Sequence, residues 1–146
     1  MSSNHSAAVA LVGGVPLRLG IARDTRESVL EKVAQARESG ADLLLTSGGA
    51  SMGEYDLLKR VLEGIGYRLD FWRVRMRPGT PFSLGFLPRS KGKRPLAVFG
   101  LPGNPASSFV TFQVLCRPHI LRLAGHLRIH RPVVKARAGE VLSSPS

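Results

Sequence analysis

The stretch TSGGASMGEYD, residues 46–56, decides how the rest of the chain is read. It follows Leu43, Leu44 and Leu45, a short, wholly apolar run that suits a strand covered on both faces. Gly48, Gly49 and Gly53 let the backbone turn sharply and approach a ligand without Cβ clashes. Ser51 followed by Glu54 has the spacing of a capping box, so a helix is predicted to open there, its free N–H groups and positive dipole end facing the turn. Such a strand, turn and helix N-terminus make a seat for an anion such as phosphate. The competing reading is a purely structural turn, and this stretch alone does not separate the two.

A second stretch, GLPGNPAS at 100–107, repeats the arrangement after the apolar run Leu96, Ala97, Val98 and Phe99. Asn104 is placed to cap the helix that follows, with Pro105 at its first position. Ligands on open α/β sheets gather at the carboxyl ends of strands, so the two turns would converge if their strands were parallel neighbours. The sequence does not prove that adjacency.

Length and composition set the outer limits. At 146 residues with 43% hydrophobic side chains, the chain is expected to form one domain with a real core, with room for a fragment of another. The single cysteine, Cys116, rules out an internal disulfide and agrees with a reducing, cytoplasmic setting. No apolar run is long enough to span a membrane, and MSSNHSAAVALVGG, with no Lys or Arg, reads as a helix and not a signal peptide. The net charge of +11 is unevenly placed. Residues 1–70 carry eight basic and nine acidic side chains, and 71–146 carry thirteen basic and one acidic, Glu140. A basic half suits nucleic acid, an acidic membrane surface or a phosphorylated small ligand; arginines scattered over solvated faces are the plainer reading.

In chain order, residues 4–13 are predicted as a short helix and Pro16–Ile21 as a strand, apolar at alternate positions. Asp24, with Glu27 three residues on, is predicted to cap a helix whose buried stripe is Val29, Leu30, Val33 and Ala34 and which stops at Gly40. A strand at 42–47 and a helix at 54–65 complete an alternation that favours a parallel α/β sheet. Tyr67–Met76 reads as a strand with Arg73, Arg75 and Arg77 on one side, turned at PGTP (78–81) into a strand at 82–87. The basic loop PRSKGKRP is expected to be exposed. A strand at 95–100, a helix at 105–116, a turn at Pro118 and a last helix to Leu123 follow. Beyond residue 126 a linker and one strand, Val133–Ala138, are expected. Cys116, His119, His126 and His130 have a spacing that loosely suits zinc, but one thiol and the breaks at Pro118 and Gly125 argue for surface or core histidines.

TSGGASMGEYD, RVRMRPGTPFSLG, VFGLPGNPASS and RPHILRLAGH, in this order and spacing, resemble the third domain of molybdopterin molybdenumtransferases, the family that includes the gephyrin E domain. The resemblance covers about residues 3–138. It implies a three-layer α/β/α molybdopterin-binding domain with a mostly parallel sheet. It also implies a reaction, insertion of molybdate into adenylylated molybdopterin with release of AMP. Asp24 and Asp56 match two family aspartates tied to activity and would hold Mg²⁺ with the ligand's phosphates. The implied ligand-binding residues are Ser47, Gly48, Gly49, Ser51 and Gly53 of the first turn, Arg73, Arg77, Pro78, Gly79 and Pro81 of the hairpin, and Gly100, Pro102, Gly103, Asn104 and Pro105 of the second turn. A helix cap for Asp24 and a dipole partner for Asp56 are the structural alternatives.

The sequence departs from the family pattern in places. Arg73 and Arg77 stand where lysines are frequent, which keeps the charge and changes a point donor into a planar fork, and Thr80 replaces a further lysine. The family's opening strand with its Thr-Gly-Asp-Glu motif and its two N-terminal domains are absent, and RPVVKARAGEVLSSPS matches the first strand of its fourth domain cut short. The resemblance therefore implies residues 1–125 as a partial molybdopterin-binding domain, with 126–146 as linker and the start of a truncated β domain. A missing edge strand would leave unpaired backbone groups and invite a homodimer or association with the missing domains. Two other functions stay in view: an adenylyltransferase or non-catalytic pterin-binding relative on the same fold, and a basic nucleic-acid-binding module. The last lacks the aromatic interleaving that nucleic-acid binders show, so nucleic acid is not the expected partner.

Overall fold

Among the described residues four strands carry the fold, and their order in space differs from their order in the chain. The computed structural model describes residues 2–48, 52–90, 92–137 and 139–141, with the side chains of 2–4 and 52–56 outside that description. The strands are β1 (Leu43–Ser47), β2 (Arg68–Trp72), β3 (Ser83–Leu87) and β4 (Leu96–Leu101), arranged β1-β4-β3-β2. β1 pairs parallel with β4, while β3 runs antiparallel to both β4 and β2. Three of the four described strands thus run in one sense and β3 alone is reversed.

The period of two along β4 explains the layers. Leu96 and Val98 face one way, into a cluster with Val29, Val33 and Ala36 of α2 (Arg26–Glu38) and Val61 and Leu62 of α3 (Met52–Glu63). Ala97, Phe99 and Leu101 face the other way, into a cluster with Ala8 of α1 (Ser2–Leu11), Phe112, Cys116 and Ile120. Helices on both faces of a central sheet make the three-layer α/β/α domain. An aromatic line crosses the second cluster: Phe71, Phe82, Phe99 and His119 follow one another at centroid separations of 5.7, 5.8 and 5.1 Å.

Several expectations are corrected. Residues 16–21 form no strand: Gly20 adopts φ 80, which breaks an extended run, and no described strand lies beside them. Val15 and Ile21 are left 84% and 86% exposed. Residues 133–137 likewise form no strand and are exposed, with no described strand paired to them, and Ala138 lies outside the described residues; two side-chain bonds, Arg117 Nη1 to Ile129 O and Arg131 Nη2 to Gln113 Oε1, tie the preceding segment to the helix before it. β2 ends at Trp72 rather than Met76, since Arg73 turns left-handed at φ 66 and the two-residue alternation of Arg73, Arg75 and Arg77 stops there.

Pro118 makes no turn. α4 (Pro105–Thr111) passes through a π-helical turn (Phe112–Cys116) straight into α5 (Arg117–Leu123). The Arg117 N–H reaches Phe112 O, and this widened turn just before Pro118 gives its ring room that α spacing would deny. In the basic loop, Arg89 is not free in solvent: its guanidinium donates to Ala41 O and, at 3.4 Å, to Ala36 O, tying the loop to the end of α2.

Candidate functional site

The site is built from three segments that the topology brings to one end of the sheet. β1 and β4 are parallel neighbours with Ser47 opposite Leu101, so the turns that follow them leave side by side. A Cβ placed on Gly103 would lie 3.7 Å from Gly48 Cα, so the two glycine turns touch. Gly48 sits at φ 88, a conformation that side chains other than glycine's resist. β3 runs against β4 with Ser83 opposite Gly100, so the arginine loop at 73–82, which leads into Ser83, opens at this same end.

The second turn is well defined. Asn104 Oδ1 accepts from Ser107 N at 3.1 Å and Pro105 opens the helix, as the spacing predicted. Asn104 and Pro105 are exposed, Gly103 is half-buried, and Pro102 is buried beneath the turn. Gly100 lies within β4, where its lack of a side chain makes room for the Ser83 hydroxyl. In the first turn, Ser47 is exposed at the end of β1, while Gly49 and Ser51 lie outside the described residues. Gly53 and Asp56 fall in the first turns of α3, Asp56 without a described side chain.

The arginine loop is cross-braced. Arg73 N donates to Phe82 O at 2.8 Å, Val74 N to Thr80 O at 3.0 Å, and Thr80 Oγ1 to Met76 O at 2.9 Å. Thr80 is therefore a brace within the loop. The Arg73 guanidinium lies 4.4 Å from the Trp72 ring centroid, a cation–π contact that folds it back over β2. Arg77 and Pro78 are exposed at the tip, joined by a cis peptide bond; Gly79 is buried and Pro81 half-buried.

Asp24 does not cap α2. Thr25 takes that role, its Oγ1 accepting from Ser28 N at 3.3 Å, because Thr25 has the extended backbone (φ −127, ψ 147) an N-cap needs. Asp24 is exposed just before it. Four residues separate α2 from β1, and Arg89, just past the end of β3 where Leu87 faces Leu96, bonds Ala36 O and Ala41 O, so α2 ends at the far end of the sheet and its start faces the end where the glycine turns emerge. Among the described residues no three carboxylates, histidines or cysteines gather as a metal cluster. Asp24 is an exposed carboxylate just before α2, a hard oxygen ligand of the kind Mg²⁺ takes, and the Asp56 side chain lies outside the described residues.

The histidines and the thiol have places of their own. His119 packs edge-on against Phe99, and its burial lowers its pKa. Cys116 is buried, which pushes its thiol far above the usual range. His5 Nε2 lies 2.7 Å from the Ser108 hydroxyl and joins α1 to α4, a contact across 103 positions that no spacing in the sequence could have signalled.

A family model described as "Probable molybdopterin binding domain" matches residues 5–122. The chain is 42% identical over 114 residues to a molybdopterin molybdenumtransferase of Haemophilus influenzae, covering 78% of this chain and 26% of the relative. It is 36% identical over 149 aligned positions to one from Nostoc, covering 99% and 33%. With the molybdenum cofactor synthesis protein cinnamon of Drosophila melanogaster it shares 39% identity over 101 residues, 69% and 15% of the two chains. The chain thus spans about a third or less of these relatives. No helix among the described residues is long and apolar enough to cross a membrane.

Proposed function

The chain belongs to the molybdopterin-binding domain family, and on that premise we propose that it binds adenylylated molybdopterin and serves molybdate insertion with release of AMP in molybdenum cofactor biosynthesis. The observation that carries this reading is the contact between the two glycine turns, Gly103 against Gly48, at the carboxyl ends of adjacent parallel strands. Backbone N–H groups of the second turn, beside Gly48 of the first, would supply donors to a pyrophosphate, and the continuous helix that Asn104 caps would turn its positive dipole end toward it. Arg77, at the tip of the braced loop, adds a planar fork suited to phosphate or molybdate oxygens. Asp24 and Asp56 would hold Mg²⁺ there, whose charge offsets the phosphates; the ion is proposed from the donor chemistry alone.

Titration of the protein with adenylylated molybdopterin, with and without Mg²⁺, tests the reading. Gly103→Val should weaken binding by about tenfold or more, because the side chain fills the space where backbone meets phosphate. The melting temperature should hardly move, since a Cβ at Gly103 makes only an ordinary 3.7 Å contact. Asp56→Asn should leave metal-free binding nearly unchanged and remove the Mg²⁺-dependent gain. Wild-type affinity in Gly103→Val would sink the shared seat.

A further inference from the structure

One helical residue joins the arginine loop to the second glycine turn. Thr111, the last residue of α4, is fully buried, and its Oγ1 donates to Ser107 O at 2.7 Å, one turn back. Ser107 in turn donates its N–H to Asn104 Oδ1 at 3.1 Å, and Asn104 ends the glycine turn that touches Gly48. On its other side Thr111 meets Gly79 of the arginine loop, buried and at φ 119. A Cβ on Gly79 would overlap Thr111 Oγ1 and come within 2.6 Å of the Met76 methyl, so the hydrogen that glycine carries in that direction points at the hydroxyl oxygen. The hydroxyl thus donates along the helix and offers its lone pairs to the loop, a weak C–H···O contact in a dry setting. At the next residue, Phe112, the helix leaves α spacing for the π turn.

We propose that Thr111 is a positioning residue: it fixes the tip of the arginine loop against the helix that carries the second glycine turn, and so sets where the Arg77 guanidinium stands relative to the phosphate seat. The inference rests on the reading that turn and loop serve one anionic ligand. It assigns Thr111 no contact with that ligand. The loop's internal bonds, Val74 N to Thr80 O and Thr80 Oγ1 to Met76 O, make it a braced unit, so one contact at Gly79 suffices to place the whole of it.

The test is a double-mutant cycle read by titration with adenylylated molybdopterin, joined to amide hydrogen exchange. Thr111→Val keeps the shape and removes the hydroxyl; it should weaken binding about fivefold, the scale of one lost hydrogen bond. Thr111→Ser should stay within about twofold of wild type on the same scale. In an Arg77→Ala background the valine should cause no further loss, whereas a merely structural role would give the same factor in both backgrounds and overturn the proposal. Amide exchange at Val74 and Phe82 should quicken in Thr111→Val while that at Ser107 and Ser108 holds; unchanged exchange at the loop amides would also overturn it. Thr111→Ala removes the hydroxyl without adding bulk and replaces the valine if that variant does not fold. Should wild type fail to bind the probe, the functional reading falls, and the exchange experiment still decides whether Thr111 holds the loop.

Discussion

β4 and the stretch 15–22 are both rich in apolar side chains, and they stand at opposite extremes of backbone pairing. β4 is paired along both edges, to β1 and to β3, and every residue from Leu96 to Phe99 is buried. Among the described residues, 15–22 make no backbone–backbone hydrogen bond, and only Leu19 and Ala22 rest on a core cluster. Alternating apolar residues supply a face to bury. They do not supply a neighbouring strand, and without one the backbone groups remain with water. The lesson extends to β1, which lies at the margin of the described sheet although Leu43, Leu44 and Leu45 have the pattern of an interior strand.

The comparison breaks or holds first on core truncation. Phe99→Ala should cost about 3–5 kcal/mol, the transfer term plus the cavity between Phe82 and His119. Leu17→Ala should stay within roughly 0.5 kcal/mol, as for a surface position. Urea denaturation of both variants decides it, and a Leu17 loss approaching that of Phe99 would mean the stretch is packed in solution. Next in size is Gly85→Ala in β3, where a Cβ would overlap the Tyr67 ring and stand 2.5 Å from Arg68 O. Since backbone cannot yield there as a side-chain tip can, about 1–3 kcal/mol should be lost, read from the same denaturation curves.

How much of this could be read from residues alone depended on range. The helices at 2–11, 26–38 and 52–63, the four strands that did form, and the Asn104–Pro105 cap follow from local pattern and capping chemistry, which are written in neighbouring residues. The family motifs led to the right domain. What escaped was non-local: that β1 and β4 are neighbours, that Ser83 stands beside Gly100, that Thr111 meets Gly79 and that His5 meets Ser108. The strand expected at 16–21 has the alternating pattern but no described strand beside it, a non-local condition that neighbouring residues do not encode. Assigning the cap to Asp24 was a local error of one residue, decided by which backbone adopted the extended angles.

That one-residue difference gives a finer test of where order resumes after 15–22. Thr25→Ala should cost about 1 kcal/mol by leaving the Ser28 N–H without its cap, while Asp24→Ala should cost almost nothing in stability. Thermal melts of the two variants measure this directly. Equal losses would return Asp24 to the capping role and weaken its case as a metal ligand.

The smallest effect expected is a pH dependence that belongs to the β4 side of the comparison. His119 has its pKa lowered from 6.5 by burial, and His5 has its lowered by burial first and then by the positive N-terminus. A base whose folded pKa lies below its unfolded value binds fewer protons when folded. Its contribution is therefore complete above pH 6.5 and is lost as pH falls from there through the folded value. Stability measured by urea unfolding should accordingly hold above neutrality and decline on acidification. Both rings are only partly buried, so solvent screening keeps the decline small. His119→Gln should flatten the part of that slope that arises beside Phe99, because glutamine has no proton to gain, and His5→Gln should flatten the part that arises where α1 meets Ser108. A slope that neither substitution changes would place the acid sensitivity outside the two clusters that flank the sheet.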